Sequence, residues 1–270
     1  MDADLLAFSG SIYYGVEDFI RDAVEQRTPK RERLMVVIDT GGGLIEVAQR
    51  IADTLRHHYP KSVEFLIPNY AMSAGTVLVM SGDAIYMDYY SVLGPVDPQV
   101  LNRDGKYVPA LGYLAKYDEL VRKSASKKGL TDAEMAYFAS HFDPADLYSY
   151  EQAKNLSIQL LNEWLVKYKF KNWDFTETRK KKVTPKMKKD RAYQIAEKLN
   201  DTGLWNSHAR PIGMETLRRE LKLKIEDFGA DAKLSEPVRN YYRLLKDYMG
   251  RMNHKWAIHM VNHYTHIGGA

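Results

Sequence analysis

Apolar residues at 34–38 and 63–67 form two β-rich runs, and between them Leu44, Val47, Ala48, Ile51, Ala52 and Leu55 recur at helical spacing. Strand, helix and strand in that order predict a β-α-β unit. A third run, Ala84-Ile85-Tyr86-Met87, follows the stretch 71–80, which is almost entirely small or apolar and predicts a short buried helix. Strands that alternate with helices predict a mostly parallel sheet. Beyond residue 109 the spacing turns helical. Leu111, Leu114, Tyr117, Leu120 and Val121 predict a helix over 109–127, and Thr131 with Glu134 three positions later is a helix-start signature. A long amphipathic helix is expected over 147–168. The polar, basic stretch 172–189, interrupted by Pro185, reads as an exposed connection. After it come the segment 191–199, the run Trp205-Asn206-Ser207-His208-Ala209-Arg210-Pro211-Ile212, and a tail from Pro237 rich in Tyr and His. The expectation is an α/β chain with a mainly helical second half and no internal repeat.

At 270 residues and 31.1 kDa, with 45% hydrophobic content, the chain is long enough to bury a sizeable core. It has no cysteine, which excludes disulfides, thiol nucleophiles and zinc-thiolate sites. Its apolar runs fall far short of the roughly 20 residues of a membrane span. The opening Met1-Asp2-Ala3-Asp4 lacks the basic start of a signal peptide. The expectation is a soluble, cytoplasmic protein without membrane association. Net charge is only +4, yet positive charge concentrates from Arg179 to Arg191, where Lys180, Lys181, Lys182, Lys186, Lys188 and Lys189 crowd together. No aromatic interleaving or recognition motif accompanies that run, so it reads as a solvated face and argues against a nucleic-acid partner.

The candidate chemistry lies between residues 39 and 99. Ser73 falls at a strand-to-helix junction among small neighbours, Ala71, Ala74 and Gly75, so a substrate backbone can approach it. The Ala74 N–H then sits at a helix N-terminus, where partial positive charge gathers. The run 34–38 ends in Asp39-Thr40-Gly41-Gly42-Gly43, a second glycine-rich junction that a parallel sheet can set beside the first, where Gly42 and Gly43 can offer further N–H groups. A serine hydroxyl needs a base for its proton and donors for the oxyanion that forms on the attacked carbonyl. The alternative reading is that Ser73 caps a helix and the glycines only turn the chain.

These motifs carry a resemblance. The order Asp39-Thr40-Gly41-Gly42-Gly43, Pro68-x-x-Ala71-x-Ser73-Ala74-Gly75-Thr76, Gly82-Asp83-x-Ile85-x-Met87 and Ser91-x-Leu93-Gly94-Pro95 resembles the Clp-protease and signal-peptide-peptidase A superfamily. Within it, Gly94-Pro95-Val96-Asp97-Pro98-Gln99 and Trp205-x-Ser207-His208-x-Arg210-Pro211-Ile212 are most similar to the serine dehydrogenase proteinase family. The resemblance implies a crotonase-like spiral of β-β-α units, with a core over 1–170, a basic connection over 171–190 and a helical C-terminal region over 191–270. It implies a serine peptidase with Ser73 as nucleophile and with Gly42, Gly43 and Ala74 around the oxyanion hole. Substrates would be peptides or unfolded protein, the assembly a homo-oligomer, and an ATPase a candidate partner. No cofactor or metal is implied. The family's Ser-Asp-His order maps to Ser73, Asp97 and His208; a Ser-Lys arrangement, as in signal peptide peptidases, would instead use Lys116. A catalytically silent scaffold or binding subunit is the rival reading.

Other residues carry plainer expectations. Asp83 closes a tight turn after Gly82. His57 and His58 favour a helix C-terminus. His259 and His263 share a helical face at i,i+4 spacing, but without a carboxylate in the tail they read as solvated or interface residues rather than metal ligands. Trp205 reads as a core or interface anchor.

Overall fold

Apolar strands alternating with amphipathic helices build the parallel sheet that the spacing predicts. The computed structural model describes residues 2–96, 99–101, 105 and 107–268. The first half runs β1 (Asp4–Ser9), α1 (Val16–Gln26), β2 (Arg33–Asp39), α2 (Ile45–His58), β3 (Ser62–Leu66), β4 (Tyr70–Ala71), α3 (Ala74–Val79), β5 (Ala84–Met87) and β6 (Val92–Leu93). A small hairpin, β7 (Gln99–Leu101) and β8 (Tyr107–Pro109), leads to α4 (Ala110–Ser124), α5 (Asp132–His141) and α6 (Pro144–Trp164). Then come α7 (Pro185–Leu199), α8 (Thr202–Trp205), β9 (Ile212–Gly213), α9 (Met214–Glu220), β10 (Glu226–Asp227), α10 (Ala232–Arg251) and a final hairpin, β11 (His254–Met260) and β12 (His263–Gly268).

The main sheet has the order β10-β5-β3-β2-β1-β11-β12. From β10 to β1 every pairing is parallel, and β11 and β12 add antiparallel at the β1 edge. Parallel strands send all their C-terminal ends to one side, and that side carries the candidate chemistry. Helices α1, α2, α3, α6 and α7 bury their apolar stripes in one core with Leu6, Phe8, Val36, Ile38, Phe65 and Ile85. Helix α10 covers part of the opposite face, where Leu245 and Met249 meet Ala7, Val37 and Ala257. A smaller sheet, β4-β6-β9, stands beside the C-terminal edge.

Much of the local reading holds. Thr131 accepts the Glu134 N–H at 3.3 Å while Glu134 accepts the Thr131 N–H at 3.0 Å, closing the capping box that starts α5. His57 and His58 end α2. The predicted 147–168 helix is α6, prolonged by a π-turn, Leu165–Lys169. Three expectations change. Helix α7 begins inside the presumed connection, because Thr184 accepts the Met187 N–H and Pro185 fits the first helical turn. The tail is not wholly helical: residues 254–268 form β11 and β12, so His259 and His263 lie on paired strands rather than one helical face. His259 Nδ1 is instead hydrogen bonded to the Tyr241 hydroxyl at 2.7 Å. Asp83 does more than close a turn, since it takes Arg56 at 2.6 Å, the Val63 N–H at 2.9 Å and an ion pair from Lys171.

Asp83 belongs to a set of buried carboxylates at strand ends. Asp4, at the start of β1, accepts Arg27 and the Tyr59 hydroxyl. Asp88, just after β5, accepts Arg239 and the Ser91 hydroxyl. Burial alone would raise these carboxyls, but their cations and N–H donors outweigh it and hold all three below the usual carboxylate range. A carboxyl whose folded value lies below its unfolded value of about 4 stabilises the fold above that pH. That contribution is lost as pH falls through the depressed folded values.

Denaturant midpoints should therefore hold steady from neutrality to about pH 5 and fall steeply below about pH 4, with Asp83→Asn showing a shallower acid limb. At neutral pH, Arg56→Met should cost about 3 kcal/mol in urea unfolding, because it strips the Asp83 carboxylate of its guanidinium partner and the Ser81 carbonyl of a donor.

Candidate active site

Ser73 sits between β4 and α3 with φ 52° and ψ −118°, a conformation that L-residues other than glycine rarely hold. It occupies the N-cap position, yet its side chain caps nothing. An ordinary serine cap adopts extended backbone and accepts an N–H of the first turn. The capping explanation therefore fails at Ser73, which is buried to 6% exposure. What fixes the turn is its surroundings. Thr40 pairs with this segment on both sides, its N–H donating to Tyr70 O at 3.0 Å and its carbonyl accepting the Met72 N–H at 2.9 Å. The Gly75 N–H closes back on Met72 O at 2.8 Å.

The second glycine junction lies directly against the first. A Cβ on Gly42 would stand 2.6 Å from Met72 O, 2.9 Å from Ser73 Cβ and 3.3 Å from the Ala74 nitrogen. Gly42 also has φ 97°, so glycine is required twice over. Its N–H donates to Thr40 Oγ1 at 3.1 Å, and its carbonyl accepts the Ile12 N–H at 2.8 Å. Across a trans peptide the next N–H points opposite to that carbonyl, so the Gly43 N–H faces away from Ile12. Ala74 is the first residue of α3, and its N–H has no acceptor within the helix. Ala74 thus offers a backbone donor at this junction, while the Gly42 N–H, expected among the oxyanion donors, is held by Thr40.

The remaining predicted residues arrive from the smaller sheet. β6 pairs with β4 through Tyr70↔Val92 and Ala71↔Leu93, and β9 pairs with β6 through Leu93↔Ile212. Thr76 joins α3 to the end of β6, donating to Ala71 O or Gly94 O and accepting the Gly94 N–H at 3.1 Å. Past Gly94, the Val96 N–H donates to Leu199 O at 2.8 Å, and Trp205 donates its indole N–H to Lys198 O at 2.6 Å. The chain on either side of partly buried His208 is therefore held against the segment 92–96 and the end of α7. Asp97 lies outside the described residues. Lys116 is on α4, half exposed, with its ammonium 3.0 Å from both carboxylate oxygens of Glu119. Among the described residues no cluster of three or more His, Asp or Glu could hold a metal, and no helix is long and apolar enough to cross a membrane. Thr40 and Thr76, which bind the two junctions to each other and to β6, carried no chemical signal in the sequence beyond their place in the glycine motifs.

Residues 15–141 match the family of ClpP-like SDH-type serine proteinases, the family that the motifs resemble. The chain is also similar to two uncharacterized proteins of Methanocaldococcus jannaschii. It is 35% identical to MJ0137 over 136 residues, 48% of this chain and 46% of that protein. It is 33% identical to MJ1495 over 142 residues, 49% of this chain and 46% of that protein. The chain thus spans about half the length of the curated relatives it matches.

Gly42→Ala should destabilise the protein by at least about 1–3 kcal/mol through backbone strain alone, with further loss as the methyl displaces the Ser73 turn. Gly41→Ala is the control, since a Cβ there meets nothing within 4 Å. Thermal unfolding checks both: the first midpoint should fall by several degrees and the second should stay at the parent value.

Proposed function

We propose that this chain is a serine peptidase of the ClpP-like type, with Ser73 as the nucleophile. The observation that carries the reading is the Ser73 backbone. Holding a side chain at that φ and ψ costs about 1–3 kcal/mol, and no capping bond offsets it. A strained strand-to-helix turn of this kind projects a serine hydroxyl away from its own backbone toward a substrate. Attack joins Oγ to the carbonyl carbon of a peptide, passes the hydroxyl proton to a base and leaves charge on the carbonyl oxygen. The Ala74 and Gly43 N–H groups are the donors we assign to that oxygen, with Gly42 giving the close approach. Collapse expels the amine with the base's proton, and water then releases the acyl group from Ser73.

For the base we favour His208, oriented by Asp97. The pairing of β9 with β6 and the docking of Val96 and Trp205 beside the end of α7 support this choice. A lysine base must be neutral, which burial achieves, and Lys116 is half exposed and paired with Glu119. Peptide or unfolded-polypeptide substrates, a crotonase-like spiral, homo-oligomeric assembly and an ATPase partner belong to the same reading and come from the family likeness.

A fluorophosphonate probe tests the proposal without a known substrate. It should label the wild-type chain at Ser73 and leave Ser73→Ala unlabelled. His208→Ala should slow labelling by about a hundredfold or more, the usual worth of a general base, whereas Lys116→Ala should remain within about threefold, as expected of an exposed pair. A folded wild type that resists the probe would favour the scaffold reading, and a larger loss in Lys116→Ala than in His208→Ala would transfer the base to the lysine.

A further inference from the structure

Helix α10 lays one polar stripe across the C-terminal ends of the parallel strands. Arg239, Tyr242 and Lys246 follow one another at i, i+3 and i+7 and so share a face. Arg239 donates to Asp88, after β5, at 2.6 Å. Tyr242 accepts the Asn69 side-chain N–H, after β3, at 2.9 Å and donates to Asp39 at 3.3 Å. Lys246 reaches Asp39, the last residue of β2, at 2.9 Å and Ser9, the last residue of β1, at 3.2 Å. The Ser9 hydroxyl itself donates to Asp39 at 3.2 Å. The stripe therefore meets β5, β3, β2 and β1 in their order in the sheet.

Two of those ends are the roots of the candidate site. Asp39 precedes Thr40, whose backbone pairs with Tyr70 and Met72 and whose hydroxyl holds the Gly42 N–H. Asn69 precedes Tyr70, and its carbonyl accepts the Val92 N–H of β6 at 2.8 Å. An ion pair on a buried carboxylate is a weak source of net stability compared with apolar packing, but it fixes geometry, because moving half-exposed Lys246 away strands the buried Asp39 charge. α10 already has apolar packing at Leu245 and Met249. Its charged stripe is thus superfluous for holding the helix down and suited to fixing where the strand ends stand.

We infer that Lys246 and Tyr242 are positioning residues, which clamp Asp39 and Asn69 so that the glycine junction and the Ser73 junction keep their mutual register. The inference rests on the serine-peptidase reading for its catalytic consequence, but the clamp itself can be measured apart from it. Lys246→Met should speed amide exchange in peptides covering 39–44 and 69–76 by about tenfold or more, with β11 unchanged. In fluorophosphonate kinetics it should lower kinact by about tenfold to a hundredfold, as expected for a displaced reacting group, and leave KI unaltered. Lys246→Arg should restore both readouts. Tyr242→Phe, which removes only a hydroxyl, should move them the same way by a smaller factor and guards against a Lys246→Met chain that fails to fold. Leu245→Ala should lower the melting midpoint without a selective change at the two junctions. Unchanged exchange at both junctions overturns the clamp whether or not Ser73 labels, and faster exchange with an unchanged kinact in a chain that labels overturns its catalytic consequence. A wild type that never labels, with junction exchange accelerated in Lys246→Met, keeps the clamp and removes the peptidase.

Discussion

The near-contact between two backbone turns governs this molecule: the α-carbon of Gly42 is so close to Ser73 that a methyl group there would overlap the Met72 carbonyl. The end of β2 in the main sheet and the end of β4 in the smaller sheet must come together for that to happen, as the Thr40↔Ala71 bridge records, and the helices that follow must start without side chains in between. Gly75 meets the same demand from below, since a Cβ would fall 2.4 Å from Thr40 Cγ2. Gly94 meets it from the side, against Met72 Cε at 2.6 Å. Each glycine is thus explained by a neighbour on another strand end. The strained Ser73 turn persists because those neighbours over-determine it.

The segment 15–141 that matches the proteinase family contains both turns but not everything that fixes them. β9 completes the smaller sheet beside β4 and β6, β11 extends the main sheet past β1, and α10 reaches the ends of four strands. A Phe19–Trp256 ring contact with centroids 5.0 Å apart ties α1 to the final hairpin. The C-terminal hundred or so residues are structurally continuous with the first half, as one expects when a single core must bury both faces of one sheet.

Legibility in the sequence followed the range of the interactions. The β2-α2-β3 unit, α3 and β5 could be read because periodicity and turn residues are local, and the α5 start because a capping box spans four residues. β1 is hidden in the sequence: it begins with Asp4, a carboxylate acceptable there only because Arg27 and Tyr59 come to meet it. β11 is hidden for a related reason, since His254-Lys255-Trp256-Ala257-Ile258-His259-Met260 alternates loosely and its histidines also fit a helical period. Ser73 and the glycines were legible as a motif. The distinction between a cap and a strained turn was not, because it depends on φ at one residue. The Asp39–Lys246 pair joins residues 207 positions apart, beyond the reach of any local pattern.

Charge at the strand ends follows one rule that links stability to the site. At the N-terminal edge Asp4 and Asp83 are buried against Arg27 and Arg56, and at the C-terminal edge Asp39 and Asp88 are buried against Lys246 and Arg239. Each carboxylate stands where a strand stops supplying backbone partners, and each cation comes from a helix or its flanking turn. An apolar residue in the same place would pack adequately but would tolerate sliding of the helix along the sheet. An ion pair with defined donors does not tolerate it, since a small shift takes the cation away from a carboxylate that is itself buried. At the N-terminal edge this rigidity only closes the sheet. At the C-terminal edge the same pairs stand at the roots of the two turns that meet where Gly42 approaches Ser73.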